Sequence, residues 1–294
     1  MNREVQLPQG TIRYADTGEG EPLVFIHGLA LNRTLWRKVV PLLEGEHRCI
    51  VADWPLGGHP VPMKPEMDFS LPGLAELVVD FMDALELDSA TLVGNDSGGA
   101  IAQMVAARHP DRVDRLVLNS SELYDRFLPP IFRPLQTLAA VPGSVWLITQ
   151  LMRPRFAQRL PMGFGWSIKS GLPERAVIDA YLGSSRRSAG VRRDLRKFLR
   201  AVDKRYTLEA AERLRHFPKP VLLAWAEDDK LFPLEYPRRF AAELPNAQLE
   251  LIPDSYTFVP EDQPRALADS IARFIGAAGI EPAFSGLKGR RPNH

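Results

Sequence analysis

Cysteine is almost absent from this chain: Cys49 is the only one among 294 residues, so no intrachain disulfide can form. Set in an apolar run, Cys49 reads as a buried core thiol. The six histidines are scattered, and there is no CxxC pair, HExxH or other ligand-spaced cluster. No metal site and no cofactor are therefore expected. No run of about 18 apolar residues occurs, and the opening MNREVQLPQGTIRYAD has no apolar core of signal-peptide length. These absences predict a cytoplasmic protein without a membrane segment. Charge of one sign is not in excess either, since 37 Lys and Arg face 36 Asp and Glu. That balance argues against a nucleic-acid or membrane partner. What remains is an ordinary globular composition, 45% hydrophobic and 25% charged. The length suits one large α/β domain with an insertion, or two domains.

Short apolar runs alternate with helical periodicity in the first part of the chain. A hairpin is expected from residues 4–7 and 11–16, then strands at 23–26 and 48–52, one from 90 leading into the turn at 94–99, and one at 113–119. Helices are expected over 33–43, 70–85 and 100–107. Such alternation predicts a parallel sheet covered on both faces. Ligands of such sheets bind at the carboxyl ends of the strands, and those ends carry His27-Gly28, Asp53, Asp96 and Asn119-Ser120. Between residues 122 and 216 the alternation stops. This stretch reads as proline-broken helices and holds 18 Lys or Arg against 8 Asp or Glu, while the remainder holds 19 against 28. A face that draws anionic substrates would explain the imbalance; a solvated surface contacting the acidic remainder explains it more simply. Strands then resume at 220–226 and 248–252, with helices at 236–244 and 264–275.

The chain is organised around Gly94-Asn95-Asp96-Ser97-Gly98-Gly99, which joins an apolar strand to an Ala-rich helix. A G-x-nucleophile-x-G elbow needs small residues two positions either side of its apex, because side chains there would clash. Gly94 and Gly98 as flanks put Asp96 at the apex. The register with Ser97 at the apex would need Asn95 as a flank, which is bulkier than the turn prefers. A carboxylate at the apex could attack carbon and form an ester. The plainer alternative is a Gly-rich turn with an N-capping Asp or Ser.

With these pieces in place the chain resembles the α/β-hydrolase superfamily over residues 4–278. The resemblance rests on FIHG (25–28), GNDSGG (94–99), ARHPDRVDRLVL (107–118), LLAWAEDDKLFP (222–233) and LIPDSYTFVPEDQP (251–264). An Asp at the elbow is similar to the haloalkane dehalogenase and epoxide hydrolase branch. The resemblance implies an α/β fold with a mostly parallel sheet flanked by helices and a helical cap inserted after the sixth strand. The core would span 1–121 and 217–278, the cap 122–216, and 279–294 would be a disordered tail. It further implies Asp96 as nucleophile, with the Leu29 and Ser97 amides as oxyanion donors. Asp229 would be the acid, with Asp228 a rival and Glu122 a candidate after the preceding strand.

One position departs from the family. Where members read D-x-G-H, this chain reads Asp254-Ser255-Tyr256-Thr257-Phe258, so Thr257 stands in the place of the catalytic histidine. A threonine hydroxyl cannot activate water near neutral pH as imidazole does. His59, following the strand that ends at Asp53, is the histidine best placed to substitute; His47, His109, His216 and His294 are not. His27 and Gly28 are expected beside the pocket, and Trp54, Phe127, Phe132, Trp146, Trp166 and Phe258 are candidate liners. The expected function is an enzyme acting on a small, largely apolar organic substrate, with Asp96 as nucleophile or general base. Lyase, isomerase or cyclase chemistry and a non-catalytic binding protein are the alternatives, and a homo-oligomer stays open.

Overall fold

The computed structural model describes residues 3–278; the tail expected at 279–294 lies outside them. Eight strands form one sheet in the order β1-β2-β4-β3-β5-β6-β7-β8. They are β1 (Arg3–Leu7), β2 (Gly10–Thr17), β3 (Pro22–Ile26), β4 (Arg48–Ala52), β5 (Ala90–Asp96), β6 (Val113–Ser121), β7 (Val221–Ala226) and β8 (Ala247–Ile252). β1 and β2 form the antiparallel hairpin, β2 pairs antiparallel with β4, and every other pairing is parallel. β5 and β7 are buried at every residue, as strands covered by helices on both faces are. Leu23 and Phe25 pack on one side of the sheet, Val24 and Ile26 on the other.

Helix α1 (Leu71–Ala84) starts where expected because Ser70 caps it, its hydroxyl accepting from the Gly73 amide. The helix expected over 33–43 is instead two 3-10 segments, Arg33–Lys38 and Val40–Leu42. Pro41 explains the break. It has no N–H for the Arg37 carbonyl, and its ring would collide with that oxygen in an α-helix.

Strand order places the site. From β3 the chain moves to β4 on one side, and from β5 it moves to β6 on the other, while β3 and β5 are neighbours with Ile26 opposite Gly94. At such a switch point the loops after the two strands diverge and leave a crevice. His27-Gly28-Leu29 and Asp96 form its walls. Between β6 and β7 lie α3 (Arg133–Ala140), α4 (Ser144–Leu151), α5 (Arg155–Gln158), a π-turn (Pro161–Gly165), α6 (Arg175–Arg187), α7 (Ala189–Ala201) and α8 (Lys204–Leu214). Of these, α8 lies against α2 (Ser97–Arg108) and adds Ala210, Ala211 and Leu214 to the core beside the sheet. After β7 come α9 (Glu235–Glu243), the short α10 (Val259–Asp262) and α11 (Pro264–Ala278). Among the described residues no helix is long and apolar enough to cross a membrane.

Candidate active site

Asp96 sits at the apex of the elbow with φ 53° and ψ −132°. That conformation is costly for a residue with a side chain and persists only where the surroundings enforce it. A Cβ on Gly94 would stand 2.6 Å from the Gly98 carbonyl oxygen, and one on Gly98 would stand 2.1 Å from that of Ile26. The register with Gly94 and Gly98 as flanks is thus the one the packing permits. Ser97 is not at the apex; it opens α2, and its Oγ donates to Glu122 Oε1 at 2.9 Å.

The Leu29 amide donates to Asp96 Oδ2 at 3.0 Å, and the Ser97 amide also bonds this carboxylate. Gly28 lets the loop come this close, since a Cβ there would lie 2.1 Å from Asp96 Oδ2. Burial pushes the Asp96 carboxyl up to about 7; the two amides oppose that shift and the charge of Asp229 adds to it.

Thr257 lies in the loop after β8, fully buried, and its Oγ1 donates to Asp229 Oδ1 at 2.8 Å. The same oxygen accepts from the amides of Leu231 at 2.8 Å and Phe232 at 3.0 Å. Asp229 Oδ2 is buried without a partner. Burial raises Asp229 to about 6, against the pull of these hydrogen bonds. Its neighbour Asp228 points the other way, to a salt bridge with Lys169. Glu122 is buried as well, and burial together with Asp96 drives it well above the usual carboxylate range. Three acidic side chains therefore share this corner, yet among the described residues no group of His, Cys, Asp and Glu is arranged to hold a metal ion.

Two asparagines hold the frame: Asn119, already expected at a strand's carboxyl end, and Asn95, for which the sequence suggests no role. Asn95 Nδ2 donates to the Asn119 carbonyl and Oδ1, both at 2.9 Å, and to the Thr257 carbonyl at 2.8 Å. Asn119 Nδ2 donates to the Ala224 carbonyl at 2.7 Å. Together they join β5, β6, β7 and the Thr257 loop. Their signal in the sequence is a polar residue near the carboxyl end of an otherwise apolar strand.

Neither His27 nor His59 is free to act as a base. His27 Nε2 accepts from the Trp54 amide at 2.9 Å and Nδ1 bonds the Gly28 carbonyl at 2.9 Å. Burial lowers its pKa to about 3, so it is a neutral strut under the loop. His59 is buried, with Nδ1 accepting from the Gly57 amide at 3.3 Å and Nε2 lying 3.2 Å from Asp194 Oδ2 on α7. It is not among the residues lining the cavity. Its surroundings make it a link between loop and helix.

A cavity of about 330 Å³ has Leu29, Ala30 and Phe258 as its floor and residues between β6 and β7 as its walls; Asp96 is not among its liners and is linked to it through Leu29, whose amide bonds the carboxylate. Phe132 lines it, as do Val145, Ile148, Met152 and Phe164. Apart from Thr149 and Ser185 every liner is apolar or glycine, and both hydroxyls donate to carbonyls of their own helices. The cavity thus offers a ligand no free polar side chain. The other expected aromatic liners stand elsewhere. Trp54 is core, its Nε1 bonded to the Phe25 carbonyl, and Phe127 packs on Phe198. Trp166 is half-buried against the core, and Trp146 is half-exposed.

Residues 21–264 match the alpha/beta hydrolase fold family. The chain is 27% identical to haloalkane dehalogenase 2 of Mycobacterium tuberculosis, over 91% of this chain and 92% of that one. It is also 27% identical to the cis-3-alkyl-4-alkyloxetan-2-one decarboxylase of Shewanella oneidensis, over 93% and 89%. The solved structure of haloalkane dehalogenase DbeA from Bradyrhizobium elkani is similar with a TM-score of 0.79 at 22% identity, covering 95% and 98% of the two chains. With this sheet order, this elbow and a match over most of its length, the chain belongs to the alpha/beta hydrolase fold family and is an enzyme related to the haloalkane dehalogenases.

Proposed function

We propose that Asp96 is a carbon-attacking nucleophile, that the segment between β6 and β7 is the cap over it, and that a small, largely apolar electrophile enters from the cavity between them. The observation that carries this reading is the Leu29 amide on Asp96 Oδ2. A general base would leave that donor open for negative charge developing on the substrate. A nucleophile that becomes an ester instead keeps its own carbonyl oxygen there, where the amide stabilises charge in the next step. A poised carboxyl near 7 and an apolar cavity suit attack in a water-poor site.

Release of product is the unusual step. Asp229, which would orient a histidine, is bonded to Thr257, and both His27 and His59 are engaged elsewhere. Histidine-assisted hydrolysis has no base in this arrangement. A second reading, a lyase, follows from that gap and from the likeness to a decarboxylase whose name specifies an oxetan-2-one. On such a four-membered lactone, Asp96 displaces the ring oxygen from its saturated carbon, giving an alkyl ester with a free carboxylate on the adjacent carbon. Loss of CO2 then forms the C=C bond and expels the Asp96 carboxylate. Neither water nor an added base enters.

Intact-protein mass spectrometry tests both readings, using bromoalkanes, terminal epoxides and a cis-dialkyl β-lactone, alongside assay of alcohol, alkene and CO2. Halide and epoxide should leave a stoichiometric adduct on Asp96 with little alcohol, and the lactone should turn over to alkene. Asp96→Asn should show neither. Turnover retained in Asp96→Asn would overturn the nucleophile, and lactone hydrolysis to hydroxy acid would overturn the lyase.

A further inference from the structure

Ten large apolar side chains are exposed among the described residues, and eight of them fall between positions 138 and 162. Phe156 is 71% exposed, Leu151 58%, Leu147 51% and Trp146 50%. α4 shows why: it turns Val145 and Thr149 inward and leaves Trp146, Leu147 and Leu151 outward. An apolar patch of this concentration is unusual on a protein surface that meets only water.

The charge of the same stretch is one-sided. From residue 126 to residue 173 the sequence has six Lys or Arg and no Asp or Glu. Arg133, Arg153 and Arg159 are exposed and make no ion pair among the described residues. Beside the patch a groove of about 190 Å³ sets Trp146 against Arg192, Arg193 and Arg196. Val145 lines both this groove and the apolar cavity. Leu138, Leu151, Leu160 and Met162 are exposed and also line the cavity, so its mouth opens within the patch.

We propose that this face docks on an anionic phospholipid bilayer, with Phe156, Leu147 and Leu151 entering the acyl boundary, arginines at headgroup level and the cavity open to the lipid. Protruding apolar side chains beside unpaired cations are the surface chemistry of interfacial binding. A second copy of the chain fits worse, because a two-fold contact would set unpaired arginines against their own kind. The balanced formal charge led to the expectation of no membrane partner; that balance hides the separation along the chain, since residues 126–173 hold none of the acids. Delivery of substrate from the lipid rests on the cavity being the substrate site, whereas docking does not.

Flotation of the full chain with phosphatidylcholine vesicles, with and without phosphatidylglycerol, tests the proposal. Binding is expected with phosphatidylglycerol only and should weaken as salt rises. Leu147→Ser with Phe156→Ser should lower it about tenfold, and so should Arg153→Gln with Arg159→Gln, while thermal unfolding stays unchanged. No flotation, equal flotation on neutral vesicles, or flotation indifferent to both pairs of substitutions would overturn it. So would a dimer in sedimentation velocity that the same substitutions dissolve, which would assign the face to a second copy. Adduct formation on Asp96 with a water-soluble electrophile needs no vesicle, so failure here leaves the nucleophile standing.

Discussion

Thr257, which the family resemblance puts in the place of a histidine base, does the work of a hydrogen-bond donor. Its hydroxyl satisfies one oxygen of a buried carboxylate whose other oxygen has no partner, which indicates a structural bond in a corner crowded with acids. Thr257→Val removes that donor and should cost about 1–2 kcal/mol in urea unfolding. Adduct formation at Asp96 should survive it. Thr257→His places an imidazole beside its orienting acid and should shorten the lifetime of an alkyl adduct by about a hundredfold or more, read as restored alcohol production. An adduct that persists unchanged would show that the loop cannot aim the ring at Asp96. The rate of adduct formation has its own pH signature. On the proposed mechanism only the ionised carboxylate attacks, and burial pushes this carboxyl up to about 7, so the rate should halve close to pH 7 and fall tenfold per unit below it. A midpoint near 4 would mean that Asp96 is hydrated before substrate arrives.

At the scale of elements, what was legible in the sequence followed from sterics. The elbow register came from the spacing of Gly94 and Gly98, and the strands came from apolar runs between turn formers. The apolar spacing over 33–43 fits a continuous helix, and only the single Pro41 marks the break into 3-10 segments. The part played by His59 was hidden for another reason: its partner, Asp194, is 135 residues away, and no local pattern announces such a pair. Asp194 is fully buried on α7, where it accepts from the Met63 amide at 2.8 Å and bonds Arg193 as well as His59. It ties the loop after β4 to the segment between β6 and β7. Asp194→Ala leaves the Met63 amide and the His59 ring without their acceptor, and should cost about 3 kcal/mol. Hydrogen exchange should then quicken in α7 and around Met63 while α11 keeps its protection. Unchanged exchange in α7 would show that apolar packing alone holds the helix.

For the whole molecule, both core clusters draw side chains from the sheet and from the segment between β6 and β7. Phe198 and Leu214 join one, Phe164 and Tyr181 the other. Glu261 adds a polar tie, accepting from Arg37 Nη2 at 2.8 Å and from Tyr181 Oη at 2.6 Å. Because each cluster includes both parts, the two are expected to unfold together, and the free energy of that step can be followed against pH. The buried acids set the slope. Folding raises Asp96 from 3.8 to about 7 and Asp229 from 3.8 to about 6, and lifts Glu122 well above 4.5. For acids raised in this way the fold binds protons that the unfolded chain has released, so acidification from neutrality stabilises the fold. His27 works in the opposite sense. Its folded value of about 3 lies below the ordinary 6.5, and its contribution is lost as pH falls below 6.5. Glu261 also loses its contribution in acid: burial alone would raise it, but the bonds from Arg37 and Tyr181 hold it below 4.5. Between about pH 7.5 and about pH 5, three carboxyls outweigh one imidazole, and stability should rise by roughly 1–3 kcal/mol. Below about pH 4 the unfolded acids are protonated too, and His27 and Glu261 then carry the curve downward. Urea midpoints taken across this range check the shape. A steady fall from pH 7.5 to pH 5 would mean that the corner around Asp96 is wet enough to keep its acids ionised, and the pH dependence of adduct formation would have to move with it.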